Sequence, residues 1–220
     1  MHGWGGNRHV FSCLYNQLKN EFTITAVDFY GFGCTPHPSY PLQLRDYALS
    51  VVELINHYRM SNVILIGHSF GGKVALMLTT IHGHLVDRLI LINSSGIRPR
   101  RHIKYYFNIY YYKLCKIMHI ERSNAGSVDY KALSGAMKKT FVNIVNYHLN
   151  AKLRYITHKT LILWSRYDST TPLYMARKLK RGLKASSLVI MDSTSHYLFL
   201  DRSSESLAEI KRFLGDVNDN

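Results

Sequence analysis

Acidic side chains are scarce in this chain, and the scarcity is local. Fourteen Asp and Glu stand against twenty-eight Lys and Arg over 220 residues, a formal charge of +14. Between Arg98 and Lys159 only Glu121 and Asp129 are acidic against thirteen basic residues, so +11 of the excess lies there. Cysteine is sparse too. Cys13, Cys34 and Cys115 are odd in number and share no spacing, which excludes a disulfide framework and a cysteine zinc site and makes a reducing cytoplasm the expected setting. No apolar run approaches the ~20 residues that cross a bilayer, and no signal peptide precedes the first motif. His82-Gly83-His84 is too short and isolated for a metal site, and His-Glu-x-x-His does not occur, so no metal or organic cofactor is expected. Repeats and low-complexity linkers are absent. What remains, at 46% hydrophobic residues, is one domain large enough for a sizeable core.

The most informative stretch is Val63-Ile64-Leu65-Ile66-Gly67-His68-Ser69-Phe70-Gly71-Gly72. Its apolar start predicts a buried strand, Lys73 to Ile81 predicts a helix, and Gly67-His68-Ser69-Phe70-Gly71 fits Gly-x-Ser-x-Gly between them. In a strand–turn–helix context this is a nucleophile elbow: small residues let strand and helix approach, and the serine is held in a strained turn. His68 lies inside the elbow with its ring turned from the hydroxyl, a packing position.

An alcohol is a weak nucleophile and needs a base, which in turn needs an orienting carboxylate. Thr160 to Trp164 predicts a strand with Asp168 just past its end. Ser187 to Met191 predicts another, followed by a loop to His196. The order Ser, acid, His is the one this elbow demands. Both candidates leave the same edge of a parallel sheet as Ser69, the edge where open α/β sheets place their sites. Ser69 therefore reads as nucleophile, His196 as base and Asp168 as the residue fixing the imidazole tautomer. The competing reading of Asp168 is a helix N-cap ahead of Pro172. The oxyanion donors are expected to be the Phe70 N–H and, from the opening His2-Gly3-Trp4-Gly5-Gly6 loop, the Trp4 N–H. Trp4, Phe70 and Tyr197 are expected to shape the acyl pocket.

With these pieces in place, the chain resembles the α/β-hydrolase superfamily over nearly its whole length. The resemblance rests on His2-Gly3-Trp4-Gly5, Asp28-Phe29-Tyr30-Gly31-Phe32-Gly33, Gly67-His68-Ser69-Phe70-Gly71-Gly72 and the Asp168 and His196 segments. A serine at position 69 argues against the dehalogenases and epoxide hydrolases of that fold, which use an Asp nucleophile. His-Gly-Trp-Gly looks like some small carboxylesterases and carbon–carbon bond hydrolases. Ser165 stands where Gly is common and Lys159 where Pro often precedes the strand, departures expected to leave the mechanism untouched.

The resemblance also implies a central strand before the oxyanion loop, between those predicted at Thr23–Asp28 and Val63–Ile66. The chain holds no residues for it or for two outer strands, so a fragment or a start placed at an internal Met is one expectation. Direct pairing of the two flanking strands is the other. The remaining pattern predicts a helix near Gln43–Arg59, a strand Arg88–Asn93, a helix after Pro172 and a last helix Ser203–Leu214. Such alternation implies an α/β fold, a mostly parallel twisted sheet with helices on both faces. Residues 1–96 and 160–220 form its core and 97–159 a helical cap insertion. In the cap, Ile103, Tyr106, Phe107, Tyr110, Leu114, Ile117 and Met118 make one apolar helical stripe, and a second helix is predicted over Tyr130–Leu149.

The cap's charge has three readings: a solvated basic face, steering of an anionic substrate, or docking to an anionic membrane or polymer surface. No nucleic-acid module accompanies it. The function expected is a serine hydrolase cleaving a carboxylic ester or related acyl bond of a small molecule. A non-catalytic or truncated inactive protein of the same fold, and a carbon–carbon bond hydrolase using the same triad, remain open.

Overall fold

The computed structural model describes residues 1–100 and 128–215. Its sheet has four parallel strands in sequential order: β1 (Val63–His68), β2 (Val86–Ile92), β3 (Lys159–Ser165) and β4 (Ser186–Met191). Ile66 pairs with Ile90, Ile90 with Leu161, and Leu161 with Ser187, so the four C-terminal ends lie along one edge. Parallel strands need crossovers, and here they run through helices. The helices among the described residues are α1 (Ser12–Leu18), α2 (Leu44–His57), α3 (Phe70–His82), α4 (Val128–Lys131), α5 (Gly135–Asn146), α6 (Tyr174–Gly182), α7 (Leu198–Asp201) and α8 (Ser203–Gly215), of which α3 to α6 lie between strands.

Alternation along the strands divides the core in two. Leu89, Leu91, Ile162 and Trp164 face α2, α3 and α6, joining Tyr47, Val52, Leu76 and Leu179. Ile90, Ile92, Leu161 and Leu163 face the other way, onto Phe11, Leu14, Phe199, Ile210 and Leu214. Helices therefore cover both faces, as the sequence pattern predicts. α2 begins one residue inside its predicted range because Gln43 and Asp46 close a reciprocal capping box. No helix among the described residues is long and apolar enough to cross a membrane.

Three expectations need correction. Thr23–Asp28 is extended but is not a strand of the sheet, and it does not pair with Val63–Ile66. The ladder position beside β1 is taken by Met1, whose nitrogen donates to the Ile66 carbonyl at 2.8 Å and whose carbonyl accepts from His68 N–H at 3.0 Å. One residue cannot carry a ladder across to the 23–28 segment, which is tied instead by the Phe29 N–H to His2 Nε2 bond at 3.1 Å. Second, α1 escapes prediction although Phe11, Leu14 and Leu18 bury against the sheet, Phe11 stacking on Phe199 at 4.9 Å. Its single turn-and-a-half offers too short a period to read. Third, the helix predicted over Tyr130–Leu149 is broken, because Gly135 takes a left-handed φ of +52° at the start of α5. The stripe Ile103–Met118 lies outside the described residues.

α5 is pinned to the core by side chains. The Leu42 N–H donates to Thr140 Oγ1 at 2.9 Å, and Asn143 Nδ2 to the Leu42 carbonyl at 3.1 Å. Lys73, buried at the start of α3, extends Nζ to the Ile144 carbonyl in the last turn of α5. Burial pushes that ammonium down to about 8, and the helix's C-terminal carbonyls are where a cation is best placed.

Candidate active site

The site begins with backbone strain. Ser69 has φ +50° and ψ −112°, a region a β-branched or bulky residue avoids, between the end of β1 and the first residue of α3. The glycines around it make the turn possible. A Cβ on Gly67 would lie 2.5 Å from the Gly72 backbone, and one on Gly72 would lie 2.2 Å from Ser94 Oγ. The Ser69 carbonyl accepts from Ser95 N–H and Ser95 Oγ at 3.0 and 3.1 Å, and its own N–H donates to the Ile92 carbonyl. The hydroxyl makes no hydrogen bond to a described residue and is free to meet a substrate.

Asp168 and His196 are brought together from different strand ends. His196 Nδ1 donates to Asp168 Oδ2 at 2.7 Å, with the carboxylate wholly buried and the imidazole 18% exposed. The same oxygen accepts from Thr171 Oγ1 and Asn93 Nδ2, each at 2.7 Å, while Oδ1 takes the Thr170 and Thr171 N–H groups. Burial alone would raise the Asp168 carboxyl, but the bonds from His196 and Thr171 outweigh it and hold it below the usual carboxylate value. An ionised Asp168 fixes the proton on Nδ1 of His196 and leaves Nε2 bare, the form a general base needs. Asp168 closes an Asx turn onto Thr170 and Thr171, but the helix that follows starts at Tyr174 with Leu173 at its N-cap and no side-chain cap, so the N-cap reading of Asp168 is not borne out.

His196 reaches the elbow through His68. The His68 ring lies 4.7 Å from that of His196, and His68 Nε2 donates to the His196 carbonyl at 2.9 Å. Its other nitrogen is buried without a partner, and burial, aided by the neighbouring His196, pushes the imidazole down to about 3. The packing role read from sequence is half of what His68 does. Ser69 Oγ and His196 Nε2 share no hydrogen bond.

The Met1–Gly6 loop, expected from sequence to carry the second oxyanion donor, lies against β1 and the elbow. His2 donates from Nδ1 to the Gly3 carbonyl at 2.7 Å and accepts at Nε2, so it is neutral, and burial lowers its pKa. Gly3 lies against the elbow, where a Cβ would stand 3.3 Å from that of Ser69. The N–H groups of Trp4 and Phe70 donate to no described residue. The Trp4 ring meets Phe32, Phe70 and Phe141 edge-on at 4.9, 5.4 and 5.1 Å, so α5 packs Phe141 against this loop. Tyr197 sits elsewhere, 4.9 Å from His68 and 5.8 Å from His196, on the base side of the site.

Sequence reasoning missed Asn93, Thr171 and Phe141, and it set Ser165 aside. Ser165 Oγ donates to the Ser195 carbonyl at 2.6 Å, tying β3 to the loop that carries His196, so this departure is part of the site's support. A signal for Asn93 was available: an amide closing a run of buried β-branched and leucine residues at the active edge of the sheet.

Comparison with known proteins agrees with this architecture. A family model described as alpha/beta hydrolase fold matches residues 1–112, and one described as TAP-like protein matches 144–218. The AB hydrolase superfamily protein YisY of Bacillus subtilis is 26% identical over 239 residues, covering 97% of this chain and 89% of that protein. A pimeloyl-acyl-carrier protein methyl ester esterase of Vibrio vulnificus is 24% identical, covering 98% and 92%. Among solved structures, an esterase from Exiguobacterium antarcticum superposes with a TM-score of 0.78 at 21% identity over 98% of this chain and 90% of its own. A meta-cleavage product hydrolase from Pseudomonas fluorescens gives 0.75 at 16%, covering 98% and 89%.

Proposed function

This chain belongs to the α/β-hydrolase family, and from that membership we propose that it is a serine hydrolase cleaving a carboxylic ester of a small molecule. The observation that carries the reading is a strained Ser69 at the end of β1, on the same edge of the sheet as a His196–Asp168 pair joined at 2.7 Å. Similarity along the whole chain to methyl ester esterases supports an ester as the scissile bond.

In the first step Ser69 Oγ bonds to the acyl carbon while His196 Nε2 takes its proton. The carbonyl oxygen becomes an oxyanion held by the Phe70 and Trp4 N–H groups, each contributing on the order of 3 kcal/mol. The oxyanion collapses, His196 returns the proton to the departing alcohol, and an acyl-Ser69 ester remains. Water, deprotonated by the same imidazole, attacks that ester, releasing the acid and restoring the hydroxyl. Asp168 stays ionised throughout and stabilises the transient imidazolium. Trp4, Phe70 and Phe141 form the acyl wall, and Tyr197 borders the alcohol side. The basic composition of residues 98–159 favours anionic acyl substrates.

A fluorophosphonate probe and a panel of p-nitrophenyl esters graded in length and charge test this. The expected result is stoichiometric labelling at Ser69, lost in Ser69→Ala, with turnover of short esters and a preference for anionic acyl chains that weakens with salt. A folded protein that takes no label refutes the hydrolase reading. Labelling without ester turnover, but with cleavage of a vinylogous diketone, moves the scissile bond from carbon–oxygen to carbon–carbon.

A further inference from the structure

Asn93 closes β2 and belongs to none of the three triad positions, yet it touches the supports of two of them. It is fully buried, at a left-handed φ of +42°. Its Oδ1 accepts the Ser165 N–H at 2.9 Å, which fixes the amide's orientation, since a backbone N–H can only donate. Nδ2 is thereby turned toward acceptors: Asp168 Oδ2 at 2.7 Å, Ser165 Oγ at 3.0 Å, the His196 carbonyl at 3.2 Å and the Ser195 carbonyl at 3.3 Å. The Asn93 carbonyl meanwhile accepts from Thr171 Oγ1 at 3.1 Å, the same hydroxyl that bonds Asp168.

We propose that Asn93 is a positioning residue for the triad, a neutral amide that locks the Asp168 loop and the His196 loop to the end of β2. This inference rests on the hydrolase reading above. The two loops leave β3 and β4, which are neighbours, but the elbow leaves β1, two strands from β3. β2 lies between them, and Asn93, the residue that follows it, joins the two loops to each other, beside the His68 contact that ties the His196 loop to the elbow. The chemistry selects an amide. Four acceptors converge on Nδ2, so a carboxylate there would face Asp168 across 2.7 Å and one of the pair would have to hold a proton. An apolar residue would leave buried carbonyls and a carboxylate oxygen short of a donor. The left-handed backbone narrows the choice further to Asn, Asp or Gly.

Two variants that respect the backbone test it against wild-type protein. Asn93→Gly keeps the φ and deletes the amide, and Asn93→Asp keeps shape and φ but turns the donor into an acceptor. The expected result for Asn93→Gly is a loss of about 10²-fold in kcat on a p-nitrophenyl ester with KM within threefold, the size of effect that misplacing a reacting group produces. Asn93→Asp is expected to lower kcat as well and to move the acid limb of the kcat/KM profile upward, because the proton shared by the two facing carboxylates must leave before Asp168 is ionised opposite a bare His196. A merely structural residue would lower the melting temperature without moving that limb. Folded variants with kcat within threefold of wild type and an unmoved limb overturn the proposal. Should Asn93→Gly fail to fold by circular dichroism, the limb of Asn93→Asp decides alone. Failure of wild-type protein itself to label and turn over marks a failure of the hydrolase reading.

Discussion

The two flanks of Ser69 are held by different physics. On the acid–base flank, Asp168 accepts five hydrogen bonds, from His196, Asn93, Thr171 Oγ1 and two backbone N–H groups, and nearly every contact is polar and directional. On the oxyanion flank, Trp4 is set by aromatic edges, His2 supplies two hydrogen bonds, and Met1 contributes two ladder bonds to β1. A directional network fails when one donor is exchanged for an acceptor, even at constant volume. A packed loop tolerates changes of polarity at its rim but not added volume where backbones touch. The two flanks should therefore break under opposite kinds of substitution.

The largest effect expected from one such change is on the polar flank. Asp168→Asn preserves volume but presents a donor to His196 Nδ1–H, favouring the wrong tautomer. Steady-state kinetics should show kcat falling by about 10⁴ with KM little changed, and a loss under tenfold would remove Asp168 from the triad. The matching test on the other flank adds one methyl group. A Cβ at Gly71 would stand 2.2 Å from the Met1 carbonyl oxygen and 2.7 Å from that of His2, so Gly71→Ala must displace the oxyanion loop. A fall in kcat of about 10²–10³ is expected, with the acid limb of the pH profile unmoved because His196 and Asp168 are untouched. If that limb shifts, the flanks are not independent. A smaller effect is expected from Trp4→Leu, which keeps the N–H but removes the ring touching Phe70 and Phe141. Short esters should turn over within tenfold of wild type, while selectivity among long acyl chains changes.

The difference between the flanks also explains what was legible in the chain. Ser69, Asp168 and His196 could be placed from local pattern, because each directly follows a strand whose apolar residues announce it. The supports could not. Asn93 and Ser165 matter through contacts across 72 to 103 residues of sequence, and no local period encodes such a separation. Thr23–Asp28 misled for the opposite reason. Its alternation is that of a strand, with Ile24 and Ala26 half-buried between exposed Thr23 and Thr25, but a strand also needs a ladder partner, and no described strand pairs with it. Phe141 escaped because the helix over Tyr130–Leu149 was expected only as a span, with no face assigned to it.

Each flank carries one imidazole kept neutral by burial, His68 beside the base and His2 beneath the oxyanion loop, and this gives the mildest test. Both have native pKa values below the ordinary 6.5, His68 down to about 3. The unfolded chain therefore binds more protons at these two rings than the native one once pH falls below 6.5, so their contribution to stability is fully present above that value and declines as pH drops toward the native pKa values. Asp28 and Asp168 are held below the ordinary 3.8, so their contribution is lost only at lower pH, while the buried Met1 amine, pushed from 8.0 down to about 5, adds a loss of its own between pH 8 and 5 that the histidine variants leave in place. Each imidazole contributes a slope of up to ~1.4 kcal/mol per pH unit below its ordinary pKa. His68→Gln retains a donor for the His196 carbonyl and removes the titration, so denaturant unfolding from pH 6.5 to 4 should lose about that much slope. His2→Gln should remove its own share independently. If either variant alone abolished the slope of both rings, the two imidazoles would be titrating as one coupled unit through Gly3, whose position between His2 and the His68 ring would then join the flanks.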